Sequence, residues 1–275
     1  MINLKLAILD MYQGVANQGM RNIHEIIDGY AEDHGIRLEK KVYDIRGKQE
    51  FPGLEYDAYI STGGPGSPID AEGWEGQWMN LLSSIIDYNA KSQSNKKYAF
   101  LICHSFQLMC HHFRLAHVSK RRTESFGIFP MHPTFAGRKN KFTGQLPDPF
   151  YAVDSRLYQV VKPDSRALHS MGARILAIEK VRDYVPLERA TMAIQFTPEI
   201  VGTQFHPEAD PNGMLFYMRE EEKKPVIIKN YGQEKYDRMI HRLQDPNMIA
   251  LTQRKMIPVF LDEVLHVNFK EALTA

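Results

Sequence analysis

The sequence predicts an α/β fold in which a mostly parallel sheet lies between two layers of helices. Two observations carry this prediction. Short apolar runs of strand length alternate with segments whose apolar residues recur every three or four positions, as on one face of a helix. Polar or glycine-containing turns follow several of these runs directly, at the strand ends where such sheets bind ligands.

The elements of the first half follow this alternation in order. Strands are predicted over residues 4–9, 38–45, 57–61 and 98–102, and helices over residues 20–35, 78–86 and 106–113. Beyond residue 118 the pattern changes to shorter, proline-punctuated pieces. Residues 125–133 and 150–161 are two such pieces, and short strands are predicted over residues 174–180, 192–196 and 200–205.

The last part of the chain has a different character. Residues 214–275 are charged and helical in pattern, and we expect proline to break the helices at Pro225, Pro246 and Pro258. We therefore predict one domain over residues 1–213 and a helical extension over residues 214–275. Since the extension directly follows the last predicted strand, we expect it to cover the cleft or to form a subunit interface.

Composition excludes several classes of function. The 275 residues are 43% hydrophobic, and 34 basic residues nearly balance 33 acidic ones, so the net charge of +1 does not favour nucleic acid as a partner. Two cysteines do not suit a disulfide scaffold but do suit a reducing cytosol. The first apolar run is too short for a signal sequence, and no run approaches the ~20 apolar residues of a membrane span. We expect a cytoplasmic protein.

Residues 98–113 place a cysteine where a strand turns into a helix. The apolar strand stops at Cys103, and the apolar positions after it have helical spacing. A cysteine on such a turn projects its sulfur outward, and the helix N-terminus favours the thiolate. The N–H group of His104 would point where an oxyanion forms. Alone, this pattern fits a buried structural cysteine about equally well.

Two further stretches favour the catalytic interpretation. Residues 59–68 run from an apolar strand into the turn Gly-Gly-Pro-Gly-Ser, which includes Gly64 and Gly66. Residues 201–208 run into His206 and Glu208, and side chains two positions apart in an extended segment point the same way. A cysteine, a histidine and a carboxylate are the parts of an activated thiol nucleophile.

In this order and spacing the three stretches resemble the class I glutamine amidotransferases. That family has Gly-Gly-Pro-x-Ser, then Gly-x-Cys-x-Gly-x-Gln, then Gln-Phe-His-Pro-Glu, and the resemblance covers about residues 1–210. The middle motif departs, because Leu101 and Ser105 stand where the family has glycines, whereas Gln107 is kept. The resemblance implies a flavodoxin-like three-layer fold with a small antiparallel addition, in which Glu124 and Gly127 match a usual Glu-x-x-Gly.

The resemblance also implies a mechanism that needs no cofactor. Cys103 would attack the side-chain amide of L-glutamine to form a thioester, and His206 would protonate the departing ammonia and then activate water. Glu208 would hold the imidazole in position. The N–H groups of Gly64 and His104 would bind the oxyanion. Gln107 and Gly66 would bind the substrate.

Several alternatives remain open at this stage. The chain resembles the glutaminase half of GMP synthetase as a free-standing protein, so either a partner synthetase or a small molecule in the same cleft would accept the ammonia. A second hypothesis keeps the three catalytic residues but hydrolyses other γ-glutamyl amides. A third is a non-catalytic binding module on the same fold. We expect no metal site, because Cys103 and Cys110 lie seven positions apart on one helix without a second ligand pair.

Overall fold

The strands of the protein form one mixed sheet. The computed structural model describes residues 2–182, 186–245 and 247–269. Its strands are β1 (Asn3–Asp10), β2 (Arg37–Asp44), β3 (Ala58–Ser61), β4 (Tyr98–Ile102), β5 (His117–Pro133), β6 (Phe150–Val161), β7 (Arg174–Glu179), β8 (Thr191–Gln195) and β9 (Ile200–Thr203). They lie in the order β2-β1-β3-β4-β9-β8-β7-β5-β6. The helices are α1 (Gln18–Asp33), α2 (Glu75–Lys91), α3 (His104–His112), α4 (Phe135–Arg138), α5 (Ser165–Met171), α6 (Pro211–Arg219), α7 (Lys223–Tyr231), α8 (Gln233–Leu243) and α9 (Ile249–Asn268).

Helices cover both faces of the parallel half of the sheet. Strands β2, β1, β3, β4 and β9 pair in parallel. Because successive side chains of a strand point to opposite faces, Leu6 and Ile8 join the core under α1 and α9, whereas Leu9 joins the core under α2 and α3. The predicted three-layer α/β/α arrangement is confirmed.

The other half of the sheet is antiparallel. Strand β8 pairs antiparallel with β9, and β7, β5 and β6 follow in the same manner. Residues 125–133 belong to a longer strand, since β5 begins eight residues earlier at His117 and its register with β6 shifts between Lys120 and Ser125. The predicted antiparallel addition is confirmed, and it is longer than expected.

The C-terminal residues form helices, as predicted, but two expected breaks are wrong. Pro225 lies in the first turn of α7, where a backbone N–H has no intrahelical partner to lose. Pro258 lies inside α9, which continues through it because the flanking residues are buried in the core. Pro246 lies outside the described residues. Every helix in the described part of the chain is too short or too polar to cross a membrane.

The C-terminal helices divide into two groups with different packing. Helix α9 lies against the sheet, where the ring of the fully buried Phe260 meets Phe100 at 5.5 Å between centroids. Helices α6, α7 and α8 instead pack over β5 and β6, around Phe126 and Val153. The predicted division between residues 213 and 214 falls inside α6, so the helical extension begins within an element.

Candidate active site

Cys103 occupies a sharp corner between β4 and α3. Its backbone has φ 48° and ψ −93°, a conformation that L-residues rarely adopt and that costs about 1–3 kcal/mol. Two hydrogen bonds hold this corner: the Cys103 N–H donates to the Thr203 carbonyl (2.7 Å), and the Gln107 N–H donates to the Cys103 carbonyl (3.0 Å). The sulfur therefore projects from a fixed turn.

The neighbouring strand packs closely against the backbone of Leu101, which stands where the family has a glycine. Leu101 of β4 pairs with Gly202 of β9. A Cβ atom on Gly202 would lie 3.0 Å from the Leu101 carbonyl oxygen and 3.0 Å from ring atoms of Phe106 and Phe196. The crowding at the corner is therefore relieved by a glycine on β9, outside the strand that carries Cys103.

His206 and Glu208 lie side by side in a turn just beyond β9. The strand ends at Thr203, two residues earlier than predicted, and the His206 N–H donates to the Val153 carbonyl of β6 (2.9 Å). The Nδ1 atom of His206 lies 2.8 Å from Oε1 of Glu208. The two side chains meet, as their spacing predicts, although an irregular turn brings them together rather than an extended strand.

The surroundings of His206 favour its charged form. Burial alone lowers the pKa of the imidazole, but Glu208 and Cys103 oppose it and together raise the pKa well above 6.5. The shift favours the imidazolium over the neutral ring. An imidazolium beside a sulfur supports a thiolate nucleophile and holds a proton ready for a leaving group.

Gly63 of the glycine turn lies close to Cys103, His206 and Tyr12. A Cβ atom at this position would lie 3.0 Å from Cε1 of His206, 3.0 Å from the Tyr12 hydroxyl and 3.5 Å from the Cβ atom of Cys103. Any side chain here would push the ring or the hydroxyl away. The glycine turn therefore lies directly against Cys103 and His206.

The N–H groups predicted to bind an oxyanion are available in this turn and in α3. Among the described residues, the N–H groups of Gly64 and His104 donate no hydrogen bond to another backbone group outside the regular elements. Burial, followed by the charge of Arg46, lowers the pKa of the His104 side chain to about 4. That imidazole is neutral at pH 7, so His104 would act through its backbone.

A cavity of about 590 Å³ opens in front of Cys103. All of the residues that the sequence indicated line this cavity: Gly64, Gly66, Cys103, His104, Gln107, His206 and Glu208. No residue of the opposite wall was assigned a site role from the sequence, although the extension over residues 214–275 was expected to cover the cleft or to form a subunit interface. The wall consists of residues from β5, β6, α6 and the position after α6, among them Glu124, Phe126, Ser155, Tyr158, Met214, Tyr217 and Glu220.

Gln107 belongs to a chain of buried amides behind the sulfur. Its Nε2 donates to the Tyr158 carbonyl and to Oε1 of Gln204, both at 3.2 Å. The Nε2 of Gln204 in turn donates to the Cys103 sulfur at 3.6 Å. Both amide hydrogens of Gln107 are thus engaged within the protein. Gln204 was missed from the sequence, although it opens the stretch that carries His206.

Tyr12 is a second residue that sequence reasoning missed. Burial, with smaller contributions from Glu208 and Cys103, raises the pKa of its phenol to about 12, although His206 opposes the shift. The hydroxyl is therefore neutral. The Tyr12 N–H donates to the Asp10 carboxylate (2.7 Å), which fixes the loop after β1. That polar loop at a strand end was the available signal.

The second cysteine has no access to the cavity lining. Cys110 is fully buried in α3, and burial raises the pKa of its thiol well above the ordinary value. Cys103 and Cys110 form no disulfide with each other. In the described ranges, no group of three or more histidine, cysteine, aspartate or glutamate side chains could hold a metal ion.

Comparison with protein families gives one match. A family model described as glutamine amidotransferase class-I matches residues 19–220. Comparison with curated proteins gives no match.

Several solved structures share the fold at low sequence identity. A glutamine amidotransferase from Thermotoga maritima is 14% identical with a TM-score of 0.67, covering 95% of this chain and 98% of its own. A glutamine amidotransferase from Methylobacillus flagellatus is 12% identical with a TM-score of 0.66, covering 98% and 96%. A putative GMP synthase subunit from Thermoplasma acidophilum is 17% identical with a TM-score of 0.51, covering 75% and 85%.

Proposed function

The chain belongs to the class-I glutamine amidotransferase family, and on this premise we propose that it hydrolyses the side-chain amide of L-glutamine through a thioester on Cys103. One observation carries the proposal. The Cys103 corner, the His206–Glu208 pair at 2.8 Å and the free N–H group of Gly64 all border one cavity. A nucleophile, an acid–base group and an oxyanion donor are the parts that acyl transfer requires.

The first half of the reaction forms the thioester. The Cys103 thiolate attacks the amide carbon, and the carbonyl oxygen becomes an oxyanion that accepts hydrogen bonds from the N–H groups of Gly64 and His104. When the C–N bond breaks, the imidazolium of His206 gives its proton to the leaving nitrogen, and ammonia departs. The raised pKa of His206 keeps that proton in place beforehand.

The second half releases glutamate. The now neutral His206 takes a proton from water, whose oxygen attacks the thioester carbon. The C–S bond then breaks and the Cys103 thiolate is restored beside the imidazolium. Glu208 stabilises the cation in both halves through the bond at Nδ1, which directs the other ring nitrogen toward the reacting atoms.

A second candidate substrate is a γ-glutamyl amide of a larger amine. The cavity volume of about 590 Å³ lies within the range of about 300–1,000 Å³ that holds drug-sized ligands. Part of its wall comes from Met214, Tyr217 and Glu220, which belong to α6 and to the residue that follows it. This space would accommodate an amine substituent, and the same bond-breaking steps would release the amine in place of ammonia.

The fate of the ammonia follows from the same proposal. Either a synthetase partner receives it, or a small acceptor enters the cavity. A chain of similar fold is described as a subunit of GMP synthase, which supports the first route.

Two cysteines that form no disulfide suit a reducing compartment such as the cytoplasm. We further propose that residues 1–213 form the catalytic domain and that the extension over residues 214–275 supports it, α9 from beneath and α6 across the cavity.

Product release tests the proposal. Purified protein is incubated with L-glutamine or with a γ-glutamyl amide of a larger amine, and glutamate and ammonia or amine are measured. We expect turnover that disappears in Cys103→Ala and persists in Cys110→Ala, the matched control within the same helix. Equal turnover by Cys103→Ala would contradict the mechanism. If the wild type turns over neither substrate, with or without a synthetase, the chain is a binding module.

A further inference from the structure

A chain of buried hydroxyl groups links the nucleophile helix to the glycine turn. Ser105 stands where the family has a glycine, and its hydroxyl donates to the Thr62 carbonyl at 2.6 Å. Its oxygen lies 2.8 Å from the hydroxyl of Ser61, which accepts a hydrogen bond from Nε1 of Trp78 at 3.0 Å. A hydroxyl has one proton, so the chain runs in one direction, from Trp78 through both serines to the Thr62 carbonyl.

Thr62 controls the orientation of the next peptide group. Its hydroxyl accepts a hydrogen bond from the Met11 N–H (3.0 Å) and donates to the Gly63 carbonyl (2.8 Å). The C=O and N–H of a trans peptide point in opposite directions. Since the Gly63 carbonyl faces the buried Thr62 side chain, the Gly64 N–H of the same peptide faces away from it, and Gly64 lines the cavity.

This peptide group needs such a support. It joins two glycines, whose backbone torsions are the least restricted of any residue, so sterics alone would permit the peptide to rotate. Further along the turn, the Pro65 carbonyl accepts a hydrogen bond from Arg46, which is also paired with Glu72 at 2.7 Å. Three carbonyl groups of the turn, those of Thr62, Gly63 and Pro65, therefore each face a side-chain donor.

We propose that Thr62 and Ser105 are positioning residues that hold the two oxyanion donors in a fixed relation. Thr62 directs the Gly64 N–H toward the cavity. Ser105, in the first turn of α3 next to His104, ties that helix to the strand end that carries Thr62. This inference rests on the proposed function, because the oxyanion that these donors would bind forms in the proposed acyl transfer. It also assigns a role to Ser105, which stands where the family motif has a glycine.

The test compares Thr62→Val with Thr62→Ser. Valine keeps the shape of threonine but removes the hydroxyl, whereas serine keeps the hydroxyl. We expect kcat for glutamine to fall about 10–100-fold in Thr62→Val, part of the ~10²–10³ that loss of an oxyanion donor costs, with little change in KM. Thr62→Ser should stay close to wild type. Ser105→Ala should show a smaller fall in kcat.

A second readout separates positioning from damage to the nucleophile. Iodoacetamide alkylates a thiolate by displacement, without an oxyanion, so the alkylation rate of Cys103 should be the same in Thr62→Val as in the wild type. Equal kcat in Thr62→Val and wild type would overturn the inference. So would a parallel fall of kcat and alkylation rate, or equal losses in the valine and serine variants.

Crystal structures of both variants decide the inference independently of turnover. We expect the Gly63 carbonyl to leave its wild-type direction in Thr62→Val and to keep it in Thr62→Ser. An unchanged Gly63–Gly64 peptide in the valine variant would refute the role of the hydroxyl. A wild type that turns over neither substrate would refute the proposed function instead, and the two failures are therefore distinguishable.

Discussion

The two sides of the cavity differ in how they are built. The side that carries Cys103, His206 and the glycine turn belongs to the parallel half of the sheet, and its polar groups are buried and joined by short hydrogen bonds. The opposite side comes from β5, β6 and α6, and it presents the exposed Glu124 and the half-buried Tyr217. We infer that the first side fixes the chemistry and that the second selects the substrate.

The C-terminal segment contributes to both sides. Helix α9 packs beneath β4, the strand that ends at Cys103, through the contact of Phe260 with Phe100. Helix α6 and the residue after it instead supply Met214, Tyr217 and Glu220 to the opposite wall. A single stretch of helices therefore packs beneath the side of the cavity that carries Cys103 and lines the opposite side.

Removing the acid–base group is the most damaging change expected on the first side. In His206→Gln the ring that protonates the leaving nitrogen is absent, so kcat should fall by about 10²–10⁴. Steady-state ammonia release measures it, with the exposed His111→Gln as the control. A loss of less than tenfold would mean that another group carries the proton.

The contribution of α9, which packs beneath the side of the cavity that carries Cys103, is tested through the stability of the protein. Phe260 is fully buried between α9 and the sheet, whereas Phe216 of α6 is 64% exposed. We expect Phe260→Ala to lower the free energy of unfolding by about 3–5 kcal/mol and Phe216→Ala to change it by less than about 0.5 kcal/mol. Urea unfolding gives both values. Similar values for the two variants would mean that α9 is not part of the core.

These contrasts also show how much of the fold can be predicted from local sequence. The predicted strand over residues 98–102 coincides with β4, because a continuous apolar run marks a buried strand. The start of β5 was missed because most of the residues between His117 and Glu124 are polar, and pairing with β6 makes them a strand. The position of α9 depends on contacts between residues about 160 positions apart, which helical periodicity does not specify.

The same limit applies to the candidate site. Its motif-bearing side could be predicted because turns at strand ends bring Cys103 and His206 to one edge of the sheet. For the opposite wall, helical periodicity after the last predicted strand indicated a cover over the cleft or a subunit interface but not the residues involved, since Tyr217 and Glu124 reach the cavity only through the packing of α6 against β5. Gln204 and Tyr12 lie within or beside stretches that the sequence singles out, but their contacts with Cys103 and His206 depend on three-dimensional packing that no spacing specifies.

A change on the second side should alter substrate preference without altering the thiol. The Tyr217 ring lies 6.4 Å from that of Phe126 between centroids and borders the cavity. We expect Tyr217→Ala to raise KM about 3–10-fold for a γ-glutamyl amide of a bulky amine, in line with the loss of one aromatic contact of about 0.5–1.5 kcal/mol, and to leave KM for glutamine nearly unchanged. The alkylation rate of Cys103 should be the same in Tyr217→Ala as in the wild type.

The control for this variant is Phe216→Ala, which lies next to Tyr217 in α6 and is largely exposed. Equal effects of both variants on KM would indicate a general disturbance of α6. An equal rise in KM for both substrates would mean that Tyr217 contacts the glutamyl part they share.

The smallest effect expected is on the pH dependence of stability. The pKa of His206 is raised in the folded protein above 6.5, so its protonation stabilises the fold. That contribution is fully present below pH 6.5 and is lost as pH rises through the folded pKa. The difference in unfolding free energy between wild type and His206→Gln should therefore shrink from pH 6.5 upward. A difference that grows with pH would contradict a charged resting imidazole.

The most direct measurement of the proposed chemistry is capture of the covalent intermediate. The wild-type protein is mixed with L-glutamine, quenched in acid during turnover and digested, and its peptides are analysed by mass spectrometry. The proposal predicts a γ-glutamyl thioester on the peptide that carries Cys103. The thioester should be absent in Cys103→Ala. In a variant such as Glu208→Gln, its amount should exceed that of the wild type if hydrolysis slows more than acylation. Ammonia release with no glutamyl group on Cys103, or with the group on another residue, would contradict the mechanism.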